Sequence, residues 1–125
     1  MSGRRIAVGL ALGLAAVAAV SVLWAQTAPP KKGYILVQSD LTNAEQYAKY
    51  SKVAPDVVAK YGGRYLARGG RSTTLEGPTA PARVVVIEFP SFEAAQTFYH
   101  SPEYTAARKL RAGAATMQFV LVEAL

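Results

Sequence analysis

The stretch YGGRYLARGG, residues 61 to 70, sets Arg64 and Arg68 between two glycine pairs. A guanidinium carries five N–H donors in a rigid fork and can grip a carboxylate or another planar anion through two parallel bonds. Glycine pairs mark turns, so the run between them reads as a short strand. Alternation then places Arg64, Leu66 and Arg68 on one face, with Tyr65 and Ala67 on the other. Glu76, Arg83 and Glu88 complete the set of nearby charges. Glu88 ends the run VVVIE and alternates with Val84 and Val86. If the hairpin pairs even with even, Glu88 shares a face with Arg64, Leu66 and Arg68, and the charges form a ladder across two strands. Two readings are open: a structural ion-pair network at a dimer interface, or an anion pocket with an arginine as clamp. A single bulge would turn every residue beyond it to the other face.

Other chemistries find less support. His100 stands alone before Ser101-Pro102 and reads as a solvent-facing hinge residue, because a general base needs a positioned partner. No cluster of His or carboxylate residues offers a metal site, and no G-x-S-x-G elbow presents a serine nucleophile. The chain has no cysteine, which removes thiolate catalysis, cysteine-ligated zinc and iron–sulfur clusters. No cofactor is implied. Seven tyrosines supply phenol donors. Tyr104, just after Ser101-Pro102-Glu103, approaches the same end of the sheet as the arginines.

The 125 residues suit one domain behind a distinct N-terminal segment. Arg4 and Arg5 precede an apolar run from Ile6 to Ala25 that would span about 30 Å as a helix. Residues 1–25 therefore read as a signal peptide or an uncleaved signal-anchor, and residues 26–32 as a linker. Either places the folded part, residues 33–125, outside the cytoplasm: periplasmic, extracellular, or held at the inner membrane by residues 6–25. Contact with membrane is expected only through that segment. Without Arg4 and Arg5 the chain keeps 12 basic and 8 acidic side chains, a balance that favours small anions and gives no nucleic-acid footprint.

The elements that must position the arginines follow from pattern. GYILVQS alternates and forms a first strand. Thr42-Asn43-Ala44-Glu45 has capping-box spacing and starts a helix with Tyr47, Ala54, Val58 and Tyr61 on its buried stripe. Pro55 should kink or split it, and Gly62 should cap it. Strand two covers 63 to 67 or slightly more. Residues 69 to 82 form an irregular stretch of about fourteen residues, a length that is often functional. ARVVVIEF is a β-branched strand. Ser91 caps a helix holding Phe92, Ala95, Phe98 and Tyr99. Ser101 and Pro102 restart helix toward Leu110, Gly113 closes it, and Gln118 to Glu123 forms the last strand.

The order β-α-β-β-α-β predicts an α+β, ferredoxin-like antiparallel sheet with helices on one face. Leu36, Val84, Val86, Val120 and Val122 are too apolar to leave both sheet faces wet, so two copies should pack sheet to sheet as a homodimer. Valines in RVVVIEF stand where an RNA-recognition sheet carries stacking aromatics. QSDLTNAE lacks the glycine-rich phosphate turn of acylphosphatases.

GGRYLARGG, LEG, RVVVIEFPSFEAAQTFY and SPEY, in that order, resemble the bacterial family known as domain of unknown function 1330, from about Lys32 to Leu125. That resemblance implies a dimeric α+β barrel enclosing a cavity between paired sheets, and implies no established reaction. Its motifs single out Arg68, Glu76, Arg83, Glu88, Ser101 and Tyr104 for ligand binding. The exported N-terminus departs from the family's usual bare domains. Two function classes follow: a module binding a small organic molecule, anionic or aromatic, or a cofactor-independent enzyme of monooxygenase or isomerase type on a small organic substrate.

Overall fold

The computed structural model describes residues 28–81 and 83–125. The expected signal or anchor, residues 1–25, lies outside the described residues. Strand β1 (Gly33–Leu41) leads to helix α1 (Ala44–Lys60), then to strands β2 (Arg64–Arg68) and β3 (Arg83–Phe89). Helices α2 (Phe92–His100) and α3 (Pro102–Lys109) follow, and β4 (Ala115–Glu123) closes the chain. The sheet order is β2-β3-β1-β4, every neighbouring pair antiparallel. β1 and β2 thus run parallel with β3 between them, the split βαβ arrangement expected from the element order.

Local chemistry explains most boundaries. Ser91 accepts from the Ala94 N–H at 2.9 Å and opens α2. The Ser101 hydroxyl donates to the Phe98 carbonyl at 2.7 Å and accepts from the Tyr104 N–H at 3.1 Å. One buried oxygen therefore closes α2 and opens α3, with Pro102 in the first helical position.

Three expectations shift. The cap of α1 is Asn43, whose side chain accepts from the Gln46 N–H at 3.0 Å; it is not Thr42. The Thr42 and Asn43 N–H groups both donate to the Ala114 carbonyl, at 2.9 and 3.1 Å, so the chain is still tied to the turn before β4 when it passes Thr42. Pro55 does not split α1, which runs through it. The N–H that proline lacks would have met the carbonyl of exposed Ser51, where water can replace it. β4 also begins at Ala115, three residues before the expected Gln118, because β1 extends to Leu41 and pairs with it there.

The core lies between the helices and one face of the sheet. Ile35 and Val37 of β1, with Val85, Ile87 and Phe89 of β3, are buried against Tyr47, Tyr50, Ala54 and Val58 of α1 and Ala95 and Phe98 of α2. Phe98 has no exposed surface and stacks on Tyr104 and Phe89, ring centroids 4.3 and 4.9 Å away. On the opposite face Leu36, Val120 and Val122 remain 42%, 47% and 46% exposed, in paired register across β1 and β4. Among the described residues no helix is long and apolar enough to cross a membrane.

Candidate functional site

β2 does not alternate regularly. Arg64 pairs with Glu88 and Tyr65 with Ile87, but a bulge between Tyr65 and Ala67 leaves Leu66 over, so Ala67 pairs with Val86 and Arg68 with Val85. Val85 and Ile87 face the helices, whereas Val86 and Glu88 lie on the outer face. The bulge therefore separates two arginines that strict alternation places together. Arg64 stays outside and Arg68 turns inward.

Outside, Glu88 accepts from Lys32 at 3.0 Å and from Arg64 at 3.2 Å. The hydrogen bond from Lys32, helped by the charge of Arg64, lowers the Glu88 pKa. The ladder of Arg64 and Glu88 holds, and Arg68 is not part of it.

Inside, Arg68 reaches a pocket of about 330 Å³ between α1 and the sheet. Tyr47 and Tyr50 of α1 line one wall, Tyr65 and Arg68 of β2 another, and Phe119 and Met117 of β4 the far side. Val37, Val85 and Ile87 form the floor. Arg83, the first residue of β3, completes the rim. The Arg68 guanidinium lies 4.5 Å from the Tyr65 ring centroid, and that of Arg83 lies 5.7 Å from Tyr47. Neither arginine makes an ion pair among the described residues.

Two further polar atoms in this corner lack partners. Ser39 and Arg83 are directly opposed across β1 and β3. The Ser39 hydroxyl is fully buried, and among the described residues neither it nor Arg83 Nε has a hydrogen-bond partner. Such groups are costly to bury unsatisfied. Ser39 is not part of the pocket lining, whereas Arg83 is. Gly69 lets Arg83 lie there: its φ is +66°, and a Cβ on it would stand 2.4 Å from Arg83 Nη1.

At the edge of the pocket, the hydroxyl of the lining Tyr50 shares a 2.6 Å hydrogen bond with that of Tyr104, which is not part of the lining. Burial pushes both phenols up, as it does Tyr65, so all three stay protonated at neutral pH. The Arg111 guanidinium lies 5.0 Å from the Tyr50 ring centroid and 5.4 Å from that of Phe119.

The six sequence candidates therefore separate. Arg68 and Arg83 line the pocket, and Tyr104 stands behind it, hydrogen-bonded to the lining Tyr50. Ser101 is the cap shared by α2 and α3. Glu88 belongs to the outer face, and Glu76 is exposed in the stretch between β2 and β3. The pocket itself lies within one chain on the helix side, not on the outer face where sheet pairing would enclose a cavity. Sequence reasoning missed Ser39 and the roles of Tyr47 and Tyr50. Ser39 carried a signal, being polar at a position in phase with Ile35 and Val37. Tyr47, Tyr50 and Ala54 likewise fall at helical spacing on one face. His100 is exposed and stacks edge-on with Tyr99 at 5.3 Å. Among the described residues no group of three or more His, Cys, Asp or Glu could hold a metal ion.

Four antiparallel strands in this order, with helices over one face, define a ferredoxin-like α+β protein. The chain belongs to the family described as Domain of unknown function (DUF1330), whose model matches residues 32–125. It is similar in structure to a protein of unknown function from Rhodopseudomonas palustris, at 22% identity over 85% of this chain and 92% of that one, with a TM-score of 0.64. A dimeric ferredoxin-like protein of unknown function from Thermobifida fusca matches at 14% identity over 76% and 92% of the two chains, TM-score 0.54. SnoaB, a cofactor-independent oxygenase from Streptomyces nogalater, matches at 12% identity over 76% and 94%, TM-score 0.53. These likenesses show the fold. No curated protein matches the chain.

Proposed function

We propose that this protein binds a small aromatic carboxylate in the pocket between α1 and the sheet. The carboxylate sits between Arg83 and Arg68, and the ring lies among Tyr47, Tyr65 and Phe119. The observation that carries this is the pair of guanidinium groups without acidic partners at the rim of an apolar, aromatic cavity. Both guanidinium groups line the pocket, so an anion there would meet two cations. The exposed Leu36, Val120 and Val122 support pairing of two copies through the outer face, as does the Thermobifida fusca protein described as dimeric. The ligand pocket lies on the other side of the sheet from that contact. Export through residues 1–25 places the binding outside the cytoplasm.

Isothermal titration calorimetry with benzoate, and with benzamide as its neutral counterpart, tests the clamp. Benzoate binds and benzamide does not. Arg83→Met weakens benzoate about tenfold or more, the scale of a lost charge-assisted hydrogen bond. Arg64→Met leaves the affinity unchanged. Equal binding of acid and amide, or no loss in Arg83→Met, overturns the proposal.

A second reading, cofactor-independent oxygenation, is favoured by the fold shared with SnoaB. The lining offers it no base: it holds neither carboxylate nor histidine, and its buried phenols stay protonated. Oxygen uptake with an electron-rich aromatic acid would establish turnover, and binding without uptake keeps the module as a binder.

A further inference from the structure

Every hydroxyl carries one proton, so the 2.6 Å contact between Tyr50 and Tyr104 uses only one of two. The direction of that bond decides where the other goes. Tyr104 is 1% exposed, and among the described residues its hydroxyl has no other acceptor within hydrogen-bond distance. Its surroundings are the Phe98, Tyr99 and Phe119 rings, the Arg108 guanidinium 5.8 Å from the Tyr104 ring centroid, and Arg111 beyond Tyr50 and Phe119. If Tyr50 donated to Tyr104, the Tyr104 proton would turn toward a cation or toward hydrocarbon and stay unsatisfied. If Tyr104 donates to Tyr50, no proton is stranded there. The remaining proton is then on Tyr50, which lines the pocket.

Resting on the binding function proposed above, we infer that Tyr104 and Tyr50 form a one-way donor chain ending in the pocket, so the ligand is an aromatic acid with a second, accepting oxygen away from its carboxylate. Both ends lie beside Tyr47. Arg83 lies 5.7 Å from the Tyr47 centroid, and the Tyr50 ring lies 5.3 Å from that same centroid. A ligand lying against Tyr47 is therefore within reach of both the Arg83 guanidinium and the Tyr50 side chain. The ligand class is an oxo-substituted aromatic acid. Because the lining provides donors at both ends and no carboxylate, it selects against a substituent that must itself donate to an anion.

The probes are 4-acetylbenzoate and 4-isopropylbenzoate, which share shape and charge and differ by an accepting oxygen against a methyl group. Calorimetry with the wild-type protein, Tyr50→Phe and Tyr104→Phe reads the ratio of the two affinities. That ratio is internal to each variant and independent of any general loss of stability. The wild-type protein prefers the acetyl acid about three- to tenfold, the scale of one net hydrogen bond. Tyr50→Phe brings the ratio to about one, and Tyr104→Phe keeps the preference in part. A wild-type ratio near one with both acids bound leaves the carboxylate clamp intact and overturns the donor chain. A preference that survives in Tyr50→Phe also overturns it. If neither acid binds, the clamp and the chain fall together.

Discussion

Arg64 and Arg68 stand four residues apart on one strand and lead different lives. Arg64 shares Glu88 with Lys32 on the outer face, where its side chain is 68% exposed. Exposed pairs of this kind contribute at most about 1 kcal/mol and weaken with salt. Arg68 lies over Tyr65 on the helix side with no acidic partner, next to an Arg83 in the same condition. Lys60 repeats the first pattern, held by Glu103 at 2.6 Å. Cations with a carboxylate beside them fasten the surface of this molecule. Among the described residues the two at the pocket rim have nothing of opposite sign to neutralise them, which leaves their charge available to something that enters. Position along the strand does not distinguish the two kinds. One extra residue does.

That contrast can be broken most severely at Gly69. Gly69→Ala places a Cβ against Arg83 Nη1 and puts an L side chain at φ +66°. The guanidinium is the flexible end of its side chain and yields, so the expected result is strain of about 1–2 kcal/mol together with an Arg83 swung off the rim. Denaturant titration should show the strain, and calorimetry with benzoate should show affinity falling about as far as in Arg83→Met.

Ser39→Ala sharpens the comparison by separating stability from binding. Removing a buried hydroxyl that has no partner relieves an unsatisfied group, so the free protein gains about 1 kcal/mol. The same variant keeps its benzoate affinity within about twofold, because Ser39 is fully buried and lies off the pocket lining. A core serine with a hidden partner would instead lose stability.

The smallest effect belongs to the surface ties. Hydrogen bonds from Lys60 first, and then from Tyr61, hold the Glu103 carboxyl down at about 2 against an ordinary 4.5. A depressed acid stabilises the fold above its unfolded pKa and loses that contribution as pH falls through its folded one. Melting curves of wild type and Glu103→Gln should therefore differ slightly near neutrality. They should converge between pH 4.5 and about 2, with benzoate affinity at pH 7 the same in both.

Much of the frame was legible in residues whose chemistry is local. The β-branched run of β3, the Ser91 cap and the Ser101-Pro102 restart each act within a few positions, and each stands where its pattern placed it. The ladder between Arg64 and Glu88 was legible too, because it precedes the bulge. What lay beyond reach depends on distant partners. Asn43 displaces Thr42 as cap because Ala114, some seventy residues on, holds both N–H groups. The inward turn of Arg68 needs a partner strand against which Leu66 can be left over. The bond between Tyr50 and Tyr104 joins α1 to α3, and no periodicity within either helix encodes it. Ser39 shows the intermediate case: its phase with Ile35 and Val37 put it inward, while its lack of a partner appears only once β3 is laid beside it.

The leftover Leu66 has a consequence for how copies of this protein meet. β2 is an edge strand, and an unpaired edge invites a strand from another molecule to extend the sheet. A bulge bends that edge and breaks its run of evenly spaced donors and acceptors, so an incoming strand finds no continuous template. The residue that swings Arg68 into the pocket thereby also guards one border of the sheet against fibre-like growth.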